Sequence, residues 1–137
     1  MSKHILVIDD EAAIRKSFQL ALEDCPVLVD TAASGNEGLT MATARRYDVI
    51  YLDLKMPGLN GVETLKRLRA RDADIPIYII TAFYPEFLDQ LKSEAVQRLG
   101  FELLRKPIGS EDIVSLTMEI LNGPGALGAA EAPICTV

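Results

Sequence analysis

The chain has 137 residues, 49% hydrophobic and 25% charged, with a net charge of −6. That length suits one domain with a sizeable core, and the composition fits a globular fold rather than a disordered chain. The acidic balance argues against direct nucleic-acid binding, no apolar run reaches the ~18 residues of a membrane span, and the N-terminus lacks the flanks of a signal peptide.

In chain order, His4 to Ile8 is a near-continuous apolar run that stops at Asp9-Asp10. Such runs suit parallel strands covered on both faces. Glu11 to Leu22 carries Ile14, Phe18 and Leu22 at four-residue spacing, one face of a helix. Val27 to Thr31 predicts a weaker strand. Ser34-Gly35-Asn36 reads as a turn or cap before a helix over Glu37 to Arg46, with Leu39 and Ala42 inward.

Val49 to Leu52 predicts a buried strand that stops at Asp53, and a loop with Pro57, Gly58 and Gly61 follows. The next helix, Val62 to Ala70, turns Val62, Leu65 and Leu68 inward and Lys66, Arg67 and Arg69 toward solvent. Ile77 to Ile80 is a fourth strand ending at Thr81. A long helix over Glu86 to Leu99 is expected to bury Leu88, Leu91, Ala95 and Leu99. Phe101 to Leu104 is a short fifth strand, followed by Arg105-Lys106-Pro107. Ser110 is a suitable N-cap for a last helix over Glu111 to Leu121. Residues 123–137 are rich in Gly, Ala and Pro and read as a tail or linker stub after a domain spanning 1–122. Cys25 and Cys135 lack metal-ligand spacing and are expected as free thiols of a cytosolic protein.

Five strands alternating with five helices predict an α/β fold with a parallel central sheet and right-handed crossovers. In such a sheet all the carboxyl ends lie on one edge, where ligands bind. Four strand ends then bring Asp9, Asp10, Asp53, Thr81 and Lys106 to one place. Two carboxylates ~4 Å apart repel by roughly 4 kcal/mol at an effective dielectric near 20. Three of them need cations. Lys106 supplies one, and a divalent ion that prefers oxygen ligands supplies the other, Mg²⁺ fitting best. With no Cys or His in the set, zinc does not fit. An Asp53 carboxylate beside a metal is a competent nucleophile toward phosphorus, with Lys106 and the metal neutralising phosphoryl charge. The resulting aspartyl phosphate carries about −2 charge and biases a two-state element elsewhere.

Taken together, Val7-Ile-Asp-Asp-Glu11, Asp53-Leu-Lys-Met-Pro-Gly-Leu-Asn-Gly61, Thr81-Ala82 and Lys106-Pro107 resemble the receiver domain of bacterial two-component response regulators over about Lys3 to Leu121. The resemblance implies a flavodoxin-like, five-stranded parallel sheet of order 2-1-3-4-5 with helices on both faces. It implies Asp53 as phosphoacceptor, with Asp10 on Mg²⁺ directly and Asp9 through water. Lys55 lends only its backbone carbonyl. Thr81 reorients toward the phosphoryl group, Lys106 pairs with it, and the Lys106–Pro107 bond is cis. The implied partners are a histidine kinase or histidine phosphotransfer protein and a downstream protein target. Phosphorylation-dependent homodimerisation is compatible with this reading. Two positions depart from the family's pattern. Leu103 stands where an aromatic switch residue is usual, and Thr81 and Lys106 are more widely separated, the excess falling in or near the fourth helix.

The leading expectation is therefore a phosphorelay switch, not an enzyme beyond weak self-phosphatase activity. One alternative is a receiver-like scaffold that no longer uses phosphorylation. Another is an aspartyl-nucleophile phosphatase, although Lys55 occupies the place where such enzymes commonly carry an acidic residue. Asp9-Asp10 alone could be a helix N-cap, and the basic residues of the third helix a solvated face. Phe83 is a candidate for limiting water access to a phosphorylated Asp53.

Overall fold

A computed structural model describes residues 3–82, 85–106 and 108–122, with only the backbone described for 85–88. Five strands alternate with six helices: β1 (Lys3–Ile8), α1 (Ala12–Ala21), β2 (Val27–Ala32), α2 (Gly35–Ala44), β3 (Val49–Asp53), α3 (Gly61–Arg71), β4 (Ile77–Thr81), α4 (Pro85–Lys92), α5 (Glu94–Gln97), β5 (Glu102–Arg105) and α6 (Ser110–Asn122). All strand pairs are parallel and the sheet order is β2-β1-β3-β4-β5. Residues 123–137, Phe83 and Pro107 (with its peptide geometry) lie outside the described residues.

Alternation along each strand sorts the core into two layers. Leu6, Ile8, Ile50, Leu52, Ile77 and Ile79 pack under α2, α3, α4 and α5, where Val62, Leu65, Leu68, Leu91 and Val96 are buried. Ile5, Val7, Val49, Tyr51 and Ile80 pack under α1 and α6, against Phe18, Ala21, Ile113, Val114 and Met118. Every residue of β3 is buried, because this central strand is covered on both sides. Tyr51 fills the second layer, its ring 4.8 Å from that of Phe18 and its hydroxyl 2.6 Å from Thr117 Oγ1.

Helix starts follow local chemistry. Ser34 Oγ accepts from the Glu37 N–H at 3.1 Å, and Asn60 Oδ1 accepts from the Glu63 N–H at 3.0 Å, each satisfying an amide that the helix itself leaves open. Ser110 is the first residue of α6 instead of its cap, since the Gly109 carbonyl already accepts from the Ile113 N–H at 3.0 Å.

Three other expectations are corrected. The single long helix over Glu86 to Leu99 is two, because Ser93 ends α4 and caps α5, its Oγ accepting from the Val96 N–H at 3.3 Å. The break changes the inward face. Val96 is buried and Ala95 exposed, Leu91 and Leu99 remain inward, and the Leu88 side chain lies outside the described residues. Arg69, expected in solvent, donates from Nε and Nη2 to the Gly100 carbonyl at 3.2 and 2.8 Å and ties the α5–β5 turn to α3. Finally, Cys25 is buried and disulfide-bonded, not a free thiol, while Cys135 lies outside the described residues.

Gly61 couples the fold to the end of β3. Its N–H donates to the Leu54 carbonyl at 2.8 Å, and a Cβ there would sit 2.7 Å from Leu54 Cα and press on the Asp53 carbonyl. Backbone cannot yield as a side chain can, so Gly61→Ala is expected to destabilise the fold by about 1–3 kcal/mol. Urea unfolding measures this, and an unchanged midpoint would contradict the packing.

Candidate functional site

Register and strand parity assemble the site. β1 and β3 pair with Ile5 opposite Val49 and Val7 opposite Tyr51, so one more step of two places Asp9 beside Asp53 on the α1/α6 side. β4 and β5 pair with Ile80 opposite Leu104, both of which pack in that same layer, so Lys106 follows Leu104 onto it. Ladder bonds extend past the strand ends and hold these residues. The Asp9 N–H donates to the Ala32 carbonyl at 3.0 Å, the Leu54 N–H to Ile80 at 3.2 Å, and the Lys106 N–H to Thr81 at 2.7 Å.

Lys106 Nζ lies 3.2 Å from Asp9 Oδ2, 3.2 Å from Asp53 Oδ1 and 3.1 Å from Glu11 Oε1. Only the Glu11 contact is aligned as a hydrogen bond. Asp9 Oδ2 and Asp53 Oδ1 are buried at ion-pair distance from Lys106, but without a hydrogen-bond partner. Asp9 divides its work. Oδ1 accepts from the Glu11 N–H at 2.9 Å and shapes the turn into α1, leaving Oδ2 for the site. Arg15 Nη1 donates to the Asp9 carbonyl at 2.7 Å and steadies the same turn. The N-cap reading of Asp9-Asp10 is corrected: Glu11 stands at the cap position of α1, and Asp9 Oδ1 shapes the turn before it.

Carboxylate oxygens of Asp9, Asp10 and Asp53 lie within 4.8 Å of one another. At that spacing each pair of full charges repels by about 3.5 kcal/mol at an effective dielectric near 20. The protein answers with proton affinity. Burial, then the Asp9 charge, pushes the Asp53 carboxyl up to about 7, against the opposing pull of Lys106. Asp9 is also raised, mainly by burial, with the Glu11 N–H and Lys106 opposing. Burial disfavours the Lys106 ammonium, but the Asp53 and Asp9 carboxylates outweigh it and hold its pKa above the ordinary lysine value. Two buried oxygens without hydrogen bonds, plus an exposed third carboxylate, fit a hard divalent cation such as Mg²⁺.

Asp10 and Lys55 are exposed and, with Glu11, Met56 and Pro57, line an open cavity of about 450 Å³ above the carboxylates. A larger one, about 580 Å³, lies between the C-terminal ends of α2 and α3, at the other end of the sheet from the carboxylates. Size does not mark the site here; the charged groups do. Thr81 is buried at the end of β4, but alternation carries its side chain with Ile77 and Ile79 toward the opposite face from Asp53. Sequence reasoning missed Glu11 as a partner of Lys106. Its place directly after Asp9-Asp10, at the mouth of the same sheet edge, was the available signal.

Against known proteins, the profile of the response regulator receiver domain family matches residues 5–117. Response regulator MprA of Mycobacterium bovis is 34% identical over 135 residues, which cover 96% of this chain and 56% of that protein. The chain spans about half the length of MprA or less of the other curated relatives it matches, 35% and 44% for two Bacillus subtilis proteins. Among solved structures, Vibrio cholerae chemotaxis protein CheY4 superposes with a TM-score of 0.75 at 31% identity, covering 88% of this chain and 99% of that one. Thermotoga maritima response regulator TrrA, in complex with Mg²⁺-BeF, gives 0.72 at 29% identity over 86% and 98%.

The raised Asp53 carboxyl sets a pH dependence. A folded-state pKa above the unfolded value near 3.9 means folding favours the protonated form. That contribution is fully present below about pH 4 and is lost as pH rises through about 7. Without divalent metal, Asp53→Asn should thus gain stability relative to the parent from pH 4 to pH 7 and hold a gain on the order of 1–3 kcal/mol above that. Denaturant melts at pH 4.5 and pH 8 in EDTA test the sign; a gain larger at pH 4.5 would contradict it. Mg²⁺ at 100 times its dissociation constant should stabilise the parent by ~2.7 kcal/mol and the variant far less.

Proposed function

The chain belongs to the response regulator receiver domain family, and from that premise we propose that Asp53 accepts a phosphoryl group from a histidine kinase or phosphotransfer protein in a Mg²⁺-dependent step. An Asp53 oxygen attacks phosphorus in line. The P–N bond to the donor imidazole breaks, its electron pair stays on the imidazole nitrogen, and an acyl phosphate forms on Asp53. The observation that carries this reading is the buried Asp53 Oδ1, 3.2 Å from the Lys106 ammonium and without a hydrogen bond of its own.

Asp9, Asp10 and Asp53, with the Lys55 carbonyl, are the residues to hold Mg²⁺, which when bound neutralises phosphoryl oxygens and keeps Asp53 ionised at neutral pH. Lys106 pairs with the phosphoryl oxygens from its place beside Asp53. Thr81 turns its hydroxyl toward them, which from its present parity requires a movement at the β4 end. That movement, together with added charge, alters the face formed by α4, α5 and β5 and so the affinity for a downstream protein. Leu103, 48% exposed on β5, stands on that face where an aromatic is usual, so its readout relies on apolar contact with the partner instead of a ring that swings inward. Slow attack of water on the acyl phosphate returns the protein to rest. A kinase partner is consistent with a cytoplasmic location; among the described residues no helix is long and apolar enough to cross a membrane.

Incubation with Mg²⁺ and acetyl phosphate should add one phosphoryl group, seen by intact-mass spectrometry, and EDTA or Asp53→Asn should abolish it. Continuous phosphate release over many turnovers would instead favour an aspartyl phosphatase. No adduct at all would favour a constitutive scaffold.

A further inference from the structure

Glu11 makes a contact with no counterpart in the metal and phosphoryl roles above. Its side chain is 56% exposed and provides no cap hydrogen bond to α1, although it occupies the cap position. It instead takes the one aligned side-chain hydrogen bond that Lys106 makes among the described residues, at 3.1 Å. Lys106 at the same time stands 3.2 Å from both buried oxygens, Asp9 Oδ2 and Asp53 Oδ1, neither of which has a hydrogen-bond partner.

We propose that Glu11 is a positioning residue, a latch that draws the Lys106 ammonium toward the mouth of the site in the resting protein and must release it when a phosphoryl group arrives on Asp53. This rests on the phosphoacceptor reading. Two consequences of opposite sign follow. In the resting state the latch limits how closely Lys106 approaches Asp9 Oδ2 and Asp53 Oδ1; without it Lys106 settles onto them and competes with metal. In the phosphorylated state the latch competes with the phosphoryl oxygens for Lys106; without it that pairing is easier. A residue that merely supports the fold would weaken both states together.

The test is Glu11→Gln, with Glu11→Ala as a second variant. The side chain is exposed and caps nothing, so both are expected to fold. Calorimetry measures Mg²⁺ affinity alone, and beryllofluoride affinity is measured at Mg²⁺ concentrations saturating for each protein. Both variants should bind Mg²⁺ about threefold more weakly and beryllofluoride about threefold more tightly, the scale of a partly exposed ion pair. Both affinities unchanged, or both weakened, overturns the latch while leaving the phosphoacceptor reading intact, provided the parent binds beryllofluoride and Asp53→Asn does not. A parent that fails to bind beryllofluoride overturns both.

Discussion

An imbalance of charge at one end of the sheet governs this molecule. Asp9 and Asp53 are 1% and 3% exposed, yet the one ammonium 3.2 Å from both, Lys106, is also held by Glu11. Buried charge without full compensation costs several kcal/mol per ion. A protein tolerates that where the deficit is used, here to bind a cation and then to accept a charged group. The surrounding architecture keeps the deficit from relaxing. Asp9 is fixed by its own turn and by Arg15, Asp53 by the packed strand behind it, and the β3–α3 loop by the glycine that lets it close over the strand end.

The same core that holds the carboxylates links them to distant surfaces. Tyr51 lies two residues before Asp53 on the same side of β3. It touches α1 through Phe18, β4 through Tyr78 at 5.9 Å, and α6 through Thr117. The strand that carries the proposed phosphoacceptor is thus packed directly against both helices of that layer. The opposite layer, under α2 to α5, contains the segment where this chain departs from the family's usual spacing. Ser93 divides that segment, and Arg69 clamps its far end to α3.

Much of this was legible in the amino-acid order. Continuous apolar runs between turn-forming residues marked the five strands, and the position of each acidic or basic residue just past a strand marked the edge where they meet. Residues 86–99 misled because Leu88, Leu91, Ala95 and Leu99 satisfy a helical period even though Ser93 favours a cap; a period in hydrophobicity does not register a one-residue break. The Arg69 clamp is tertiary and carries no local sign; the Glu11–Lys106 contact, also tertiary, was hinted at only by the place of Glu11 directly after Asp9-Asp10. Parity was readable in principle. Counting in twos from Ile5, Val49 and Leu104 reaches Asp9, Asp53 and Lys106, and the same count from Ile77 reaches Thr81 on the other face. It becomes compelling only once the inter-strand register is known.

The central claim is that crowded, buried carboxylates leave Asp53 short of positive charge until a cation joins them. The most direct measurement is a carboxyl-carbon NMR titration of Asp53, with and without Mg²⁺. The account predicts a midpoint near 7 in the metal-free protein and a fall into the ordinary aspartate range or below once Mg²⁺ saturates the site. A midpoint near 4 in both conditions would mean that Lys106 already compensates the pair, and would contradict it.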